Sequence, residues 1–176
     1  MIDGLVTDRL NLRNYQETDI ESILELRGCP EVWVYSTNNV DGSKEGALKY
    51  WKEVSQKYMD GKCSFQGLFL KENQEFIGEA GVLSFNEEHN RAVIGYNILP
   101  RFWNYGYATE ITKGLVKKLF NDLKVERIEG LTLESNIGSR RVLEKSGFQL
   151  EGILRHYAKI DEEYQNVCYY GIVRFD

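Results

Sequence analysis

The sequence is short of cysteine, histidine and basic charge, and it contains no long apolar run. Cys29, Cys63 and Cys168 are odd in number and widely spaced, with no C-x-x-C, which argues against a disulfide framework. Only His89 and His156 could join them, so no zinc-type ligand set is suggested: no metal is expected, and the thiols read as reduced and buried. No apolar stretch approaches the roughly 20 residues of a membrane helix, and the opening MIDGLVTDRLNLR lacks a signal-peptide core. A cytoplasmic chain without a membrane partner is therefore expected. Lysine and arginine number 22 against 27 acidic residues, a net charge of −5, the wrong sign for binding nucleic acid through phosphate neutralisation.

What is present fits one globular domain over residues 1–176. The chain is 42% hydrophobic and 28% charged, and at this length it can bury a full core; no repeat, linker or low-complexity segment divides it. Residues 7–13, TDRLNLR, alternate as a half-buried strand does. Thr18-x-x-Glu21 predicts a capping box starting a helix that ends at Gly28 and Pro30, and residues 32–40 show no period. A second helix is expected over 43–58, where Ala47, Trp51, Val54 and Tyr58 recur, with Gly61 closing it. Strand-like runs follow at 63–70, 75–85 and 92–99, joined by short polar turns as an antiparallel meander.

Residues 101–110, RFWNYGYATE, follow the third of these runs and open an amphipathic helix with Ala108, Ile111, Leu115 and Leu119 on one stripe. A strand that turns directly into a helix leaves the first amide groups unpaired at the positive end of the helix dipole. Gly106 and the small Ala108 let main chain approach a ligand, so Trp103-x-x-Gly106-x-Ala108 suits a pyrophosphate. The long helix demands a parallel strand, supplied by residues 127–135. A short helix at 137–146 and strands at 148–160 and 164–175 complete the count at about seven strands.

The loop resembles motif A of the GNAT N-acetyltransferase superfamily, and most closely its RimJ/RimL-like branch, which commonly reads Trp-Gly-Lys-Gly-Tyr-Ala-Thr-Glu. Trp103, Gly106, Tyr107, Ala108, Thr109 and Glu110 match; Asn104 and Tyr105 depart, reducing flexibility and removing a cation. A second stretch, NIGSRRVLEKSGF at 136–148, is sound helix chemistry in itself, with Asn136 as N-cap and Gly147 as the stop. It also resembles motif B of the same branch, and TDRLNLR resembles its opening strand. The resemblance implies an α+β fold in α/β/α layers: a mixed, largely antiparallel sheet with a central splayed parallel pair and helices on both faces. It implies acetyl-CoA as cosubstrate, held by Ile98, Trp103, Asn104, Tyr105, Gly106, Tyr107, Ala108, Thr109 and Asn136, with Ser139 near the thioester sulfur. The implied acceptor is a primary amine, of a protein N-terminus or of a small molecule, and the implied assembly is a monomer or homodimer.

An amine attacking a thioester must arrive neutral, so a base must take its proton while the leaving thiolate is stabilised. Glu79, flanked by Gly78, Ala80 and Gly81 in an apolar strand, is the first choice of base, since burial would raise its pKa. Glu134 and His156 follow, and His89 reads as solvated. Arg101 and Arg141 could meet the CoA phosphates, and Trp33 and Tyr35 could line an acceptor pocket, although surface charge and simple packing are the first readings of these residues. A Rossmann unit fails for want of G-x-G-x-x-G, and Gly61-Lys62 is followed by Cys63, so no P-loop is present. A non-catalytic acyl-CoA-binding module stays open as the non-enzyme alternative.

Overall fold

The computed structural model describes residues 4–37 and 39–175. Its centre is an eight-stranded sheet in the order β1-β2-β3-β4-β5-β6-β8-β7. Strands β3 (Phe65–Leu70), β4 (Phe76–Asn86) and β5 (Arg91–Ile98) form the expected antiparallel meander. Helix α4 (Tyr107–Asn121) crosses to β6 (Arg127–Leu133), which pairs parallel with β5 because a connection of that length can return the chain to the same direction. Strands β7 (Gln149–Ile160) and β8 (Glu163–Val173) form a long hairpin, and β8 lies between β6 and β7.

Three local readings need correction. The strand expected over 7–13 is β2 (Leu10–Arg13), and a separate β1 (Leu5–Val6) pairs antiparallel with it, so that the sheet of about seven expected strands has eight. The polar turn between them carries no alternation that could mark a hairpin. The acid that caps the first helical stretch is Asp19 and not Glu21: its carboxylate accepts the Gln16 amide at 2.7 Å and two Arg13 bonds at 2.7 and 2.9 Å. This tie to β2 buries Asp19 at the entry to α1 (Ile20–Arg27). Finally, residues without a period include a one-turn helix, α2 (Pro30–Trp33), opened by a proline whose missing amide proton costs nothing at a helix start. Four residues are too few to show a period. Helix α3 (Lys44–Met59) agrees with its expectation, Ser43 Oγ accepting the Gly46 amide at 3.0 Å.

The sheet has two cores because neighbouring strand residues point to opposite faces. Phe69, with Tyr15, Phe76 and Leu99, packs against Ile23 and Leu26 of α1 and Ala47 and Val54 of α3. Leu68 lies in the other core, with Ile94, Ile128, Tyr170 and the Ile111, Leu115 and Leu119 stripe of α4. Leu143 of α5 (Ile137–Lys145) joins that side. Each buried Leu or Ile contributes about 2 kcal/mol, so the α4 stripe alone holds the crossover helix firmly against the strands beneath the site.

Between β5 and β6 the ladder spans only Arg91–Val93 against Arg127–Glu129. Beyond it β5 stays paired with β4 as far as Ile98, while β6 stays with β8 as far as Leu133. The two central strands therefore splay.

Candidate active site

A cleft of about 610 Å3 opens at the splay. Its walls come from β5 (Tyr96, Asn97, Ile98), from the loop and first turn of α4, and from the start of α5. Of the residues expected to hold acetyl-CoA, Ile98, Trp103, Asn104, Gly106, Tyr107, Ala108, Thr109 and Asn136 line it, and Tyr105 does not.

The loop keeps its path through two left-handed residues, Asn104 at φ +66° and Gly106 at φ +83°. Asparagine tolerates this conformation better than other side-chain-bearing residues, so Asn104 can follow a course that glycine commonly takes. Gly106 is the N-cap of α4 and no side chain caps the helix, which leaves the first-turn amides facing outward with the positive end of the dipole. A Cβ at Gly106 would find only the Arg9 guanidinium within 4 Å, at 3.6 Å, so an anion can approach the main chain there. Trp103 is the loop's anchor: its Nε1 donates to the Ile98 carbonyl at 2.6 Å.

Across the cleft, Asn136 Oδ1 accepts the Ser139 amide at 3.1 Å, the N-cap that its sequence position predicts. Ser139 Oγ lies 2.9 Å from Tyr96 Oη. Burial pushes the Tyr96 phenol up to about 12 against the opposing effect of that hydrogen bond, so it stays protonated and able to donate at neutral pH. Sequence reading missed Tyr96, which looks like one more apolar residue of β5; its partner is 43 positions away.

Glu79 is 2% exposed and lies behind the cleft wall. Tyr15 and Tyr50 donate to its Oε2 at 3.0 and 2.8 Å, and Asn97 Nδ2 donates to Oε1 at 2.8 Å. Burial raises the Glu79 carboxyl, and these three donors partly offset the rise. Register explains the cluster: Gly67, Glu79 and Asn97 are neighbours across β3, β4 and β5, on the face packed by α1 and α3. Asn97 is the link between Glu79 and the cleft.

The other sequence-level candidates scatter. Glu134 accepts from Asn166 at 2.9 Å and does not line the cleft. His156 stacks on Tyr164 at the irregularity in the β7–β8 pairing, with a left-handed φ of +52°. Arg101 is engaged by Glu25, whereas Arg141 and Lys145 do line the cleft. Trp33 packs inward, its Nε1 donating to the Leu26 carbonyl at 2.9 Å, but Glu31 and Tyr35 reach the cleft. Cys168 is buried and Cys29 and Cys63 are half-buried, and none of the three forms a disulfide. Among the described residues no cluster of three or more His, Cys, Asp or Glu could hold a metal, and no helix is long and apolar enough to cross a membrane.

Splayed strands, an open anion-suited helix start and a hydroxyl pair facing it define an acyltransferase-type cleft. Among known families, the acetyltransferase (GNAT) domain matches residues 9–149. A Bacillus subtilis protein named as the uncharacterized N-acetyltransferase YoaA is 33% identical, over 99% of this chain and 98% of its own length. The fold is shared with a ribosomal-protein-S5-alanine acetyltransferase from Vibrio fischeri, at TM-score 0.85 and 15% identity, over 98% of this chain and 97% of that one. It is shared too with a Vibrio cholerae spermidine N-acetyltransferase in complex with CoA and spermine, at TM-score 0.82 and 20% identity, over 94% and 95%. The chain belongs to the GNAT acetyltransferase family, and it is an acetyl-CoA-dependent N-acetyltransferase.

Proposed function

We propose that the enzyme moves an acetyl group from acetyl-CoA to a primary amine by direct attack in a ternary complex, and that the amine is a protein N-terminus of the ribosomal-protein type. The whole of residues 1–176 is read as one such domain, working in the cytoplasm. The observation that carries this reading is the polarity of one cleft, with the α4 amides, Arg141 and Lys145 suited to the anionic cosubstrate and Glu31 with Tyr35 suited to a cationic acceptor. The unpaired side of β5 offers main-chain groups to the pantetheine arm and the acetyl carbonyl. The nitrogen–carbon bond forms, the carbon–sulfur bond breaks, and the amine loses a proton as the CoA thiol leaves. A thiol has a pKa of roughly 8.5, so a hydrogen bond from Ser139, steadied by Tyr96, is enough to ease its departure. Glu79 is the proposed base, the proton reaching it through solvent while Asn97 holds its carboxylate behind the cleft wall.

A small-molecule amine is the second reading, favoured by Glu31, whose carboxylate could hold an ammonium at the cleft mouth. A panel of N-terminal peptides and small amines, assayed by free-thiol release from acetyl-CoA, separates the two. Turnover is expected with peptides above small amines. Release with a polyamine and with no peptide would transfer the assignment to the second reading, and tight acetyl-CoA binding without release for any amine would remove the transfer step itself.

A further inference from the structure

We propose that Arg9 is a binding residue for acetyl-CoA, its guanidinium supplying to the pyrophosphate loop the cation that the loop's own sequence lacks. This rests on the reading that the loop at the start of α4 holds the pyrophosphate. Between Trp103 and Gly106 stand Asn104 and Tyr105, neither of them charged. Arg9 lies in the turn between β1 and β2, roughly one hundred positions away in sequence, and folding docks that turn on the first turn of α4.

The docking is specific. Glu110 Oε1 accepts the Thr7 hydroxyl at 2.6 Å and the Arg9 main-chain amide at 2.8 Å, while Oε2 accepts Arg9 Nε at 2.7 Å. Burial would raise the Glu110 carboxyl, but these donors hold it below its ordinary value, so it stays ionised and the clamp stays closed at neutral pH. The Arg9 plane lies over the Tyr107 ring, 4.5 Å from its centre, and Tyr105 stacks on Tyr107 at 5.8 Å. Arg9 Nη1 donates to the Tyr105 carbonyl at 3.1 Å. Among the described residues Nη2 has no hydrogen-bond partner, and it sits 3.6 Å from where a Gly106 Cβ would be. Glu110 thus holds Nε and the Tyr105 carbonyl holds Nη1, which leaves Nη2 beside Gly106, at the rim of the loop and outside the residues that line the cleft.

A planar fork held in this way is pre-organised for a phosphate oxygen, where a lysine in the loop would have to be ordered on binding. The side chain is 48% exposed, so the outer edge is accessible to a ligand.

The test is Arg9→Met, which keeps the apolar stem and the main-chain bond to Glu110. Steady-state thiol release with one accepted amine is measured for acetyl-CoA and for acetyl-pantetheine, which lacks the pyrophosphate, beside the melting temperature without ligand. The KM for acetyl-CoA is expected to rise about tenfold or more, as for loss of one charge-assisted hydrogen bond. The kcat and the KM for acetyl-pantetheine should stay at parent values. An unchanged acetyl-CoA KM, or equal losses with both donors, would overturn the assignment. If Arg9→Met does not fold, Arg9→Lys keeps the charge but loses the fork, and a several-fold rise confined to acetyl-CoA carries the same meaning. A parent enzyme that uses both donors with equal KM would sink the loop reading itself, a result separate from any failure of Arg9.

Discussion

Ser139 has two separable jobs, because its main-chain amide completes the α5 cap while its hydroxyl meets Tyr96. Ser139→Ala keeps the amide, so its melting temperature should stay near the parent's. Thiol release should fall in kcat by about ten- to a hundredfold, the worth of roughly 1.5 to 3 kcal/mol for one charge-assisted hydrogen bond. Tyr96→Phe removes only the steadying contact and should cost about two- to tenfold. Parent-like turnover by Ser139→Ala would end its catalytic role. Glu79 is tested through pH: burial raises its pKa, so as a base it would impose an acidic limb on kcat at a pH above the ordinary carboxyl value of 4.5. Glu79→Gln should lose both that limb and most of kcat. A raised amine KM with the limb intact would instead mean that Glu79 serves to hold Asn97. Glu79 stands out in sequence because it breaks an apolar run and Ser139 because its stretch resembles a known motif, whereas Tyr96 does neither.

Among the elements, β4 and β5 hold Glu79 and Asn97 side by side, and Gly78 is what lets the strands close. It has φ +150°, and a Cβ there would lie 2.1 Å from the Asn97 carbonyl oxygen, a main-chain atom that cannot swing aside. Gly78→Ala should therefore destabilise the fold by more than about 2 kcal/mol in a urea titration, as strained backbone and a forced strand separation combine. A loss below 0.5 kcal/mol would be within the range of ordinary surface changes and would show that β4 can shift freely. The helices α3, α4 and α5 and the strands of the meander are legible because period and caps act within one turn or one strand. β1 and α2 are too short for a period to develop, and the Asp19 cap depends on Arg13 from another element.

For the molecule as a whole, acetyl-CoA should bind only the folded state, since its site is assembled from β5, α4 and α5. At one hundred times its Kd it would add about 2.7 kcal/mol and raise the melting temperature, and NAD at equal concentration should not. A shift with NAD alone would contradict the cofactor reading. By itself the sequence determined the order of the main elements and the parallel crossover. These follow from side-chain periodicity, caps and glycine placement, all of which act between neighbours in the chain. Only the tertiary structure decided the width of the β5–β6 splay, the burial of Glu79 under Tyr15, Tyr50 and Asn97, and the meetings of Tyr96 with Ser139 and of Arg9 with the loop. Each of those contacts joins residues far apart in the chain, and only the closing of the sheet brings them together.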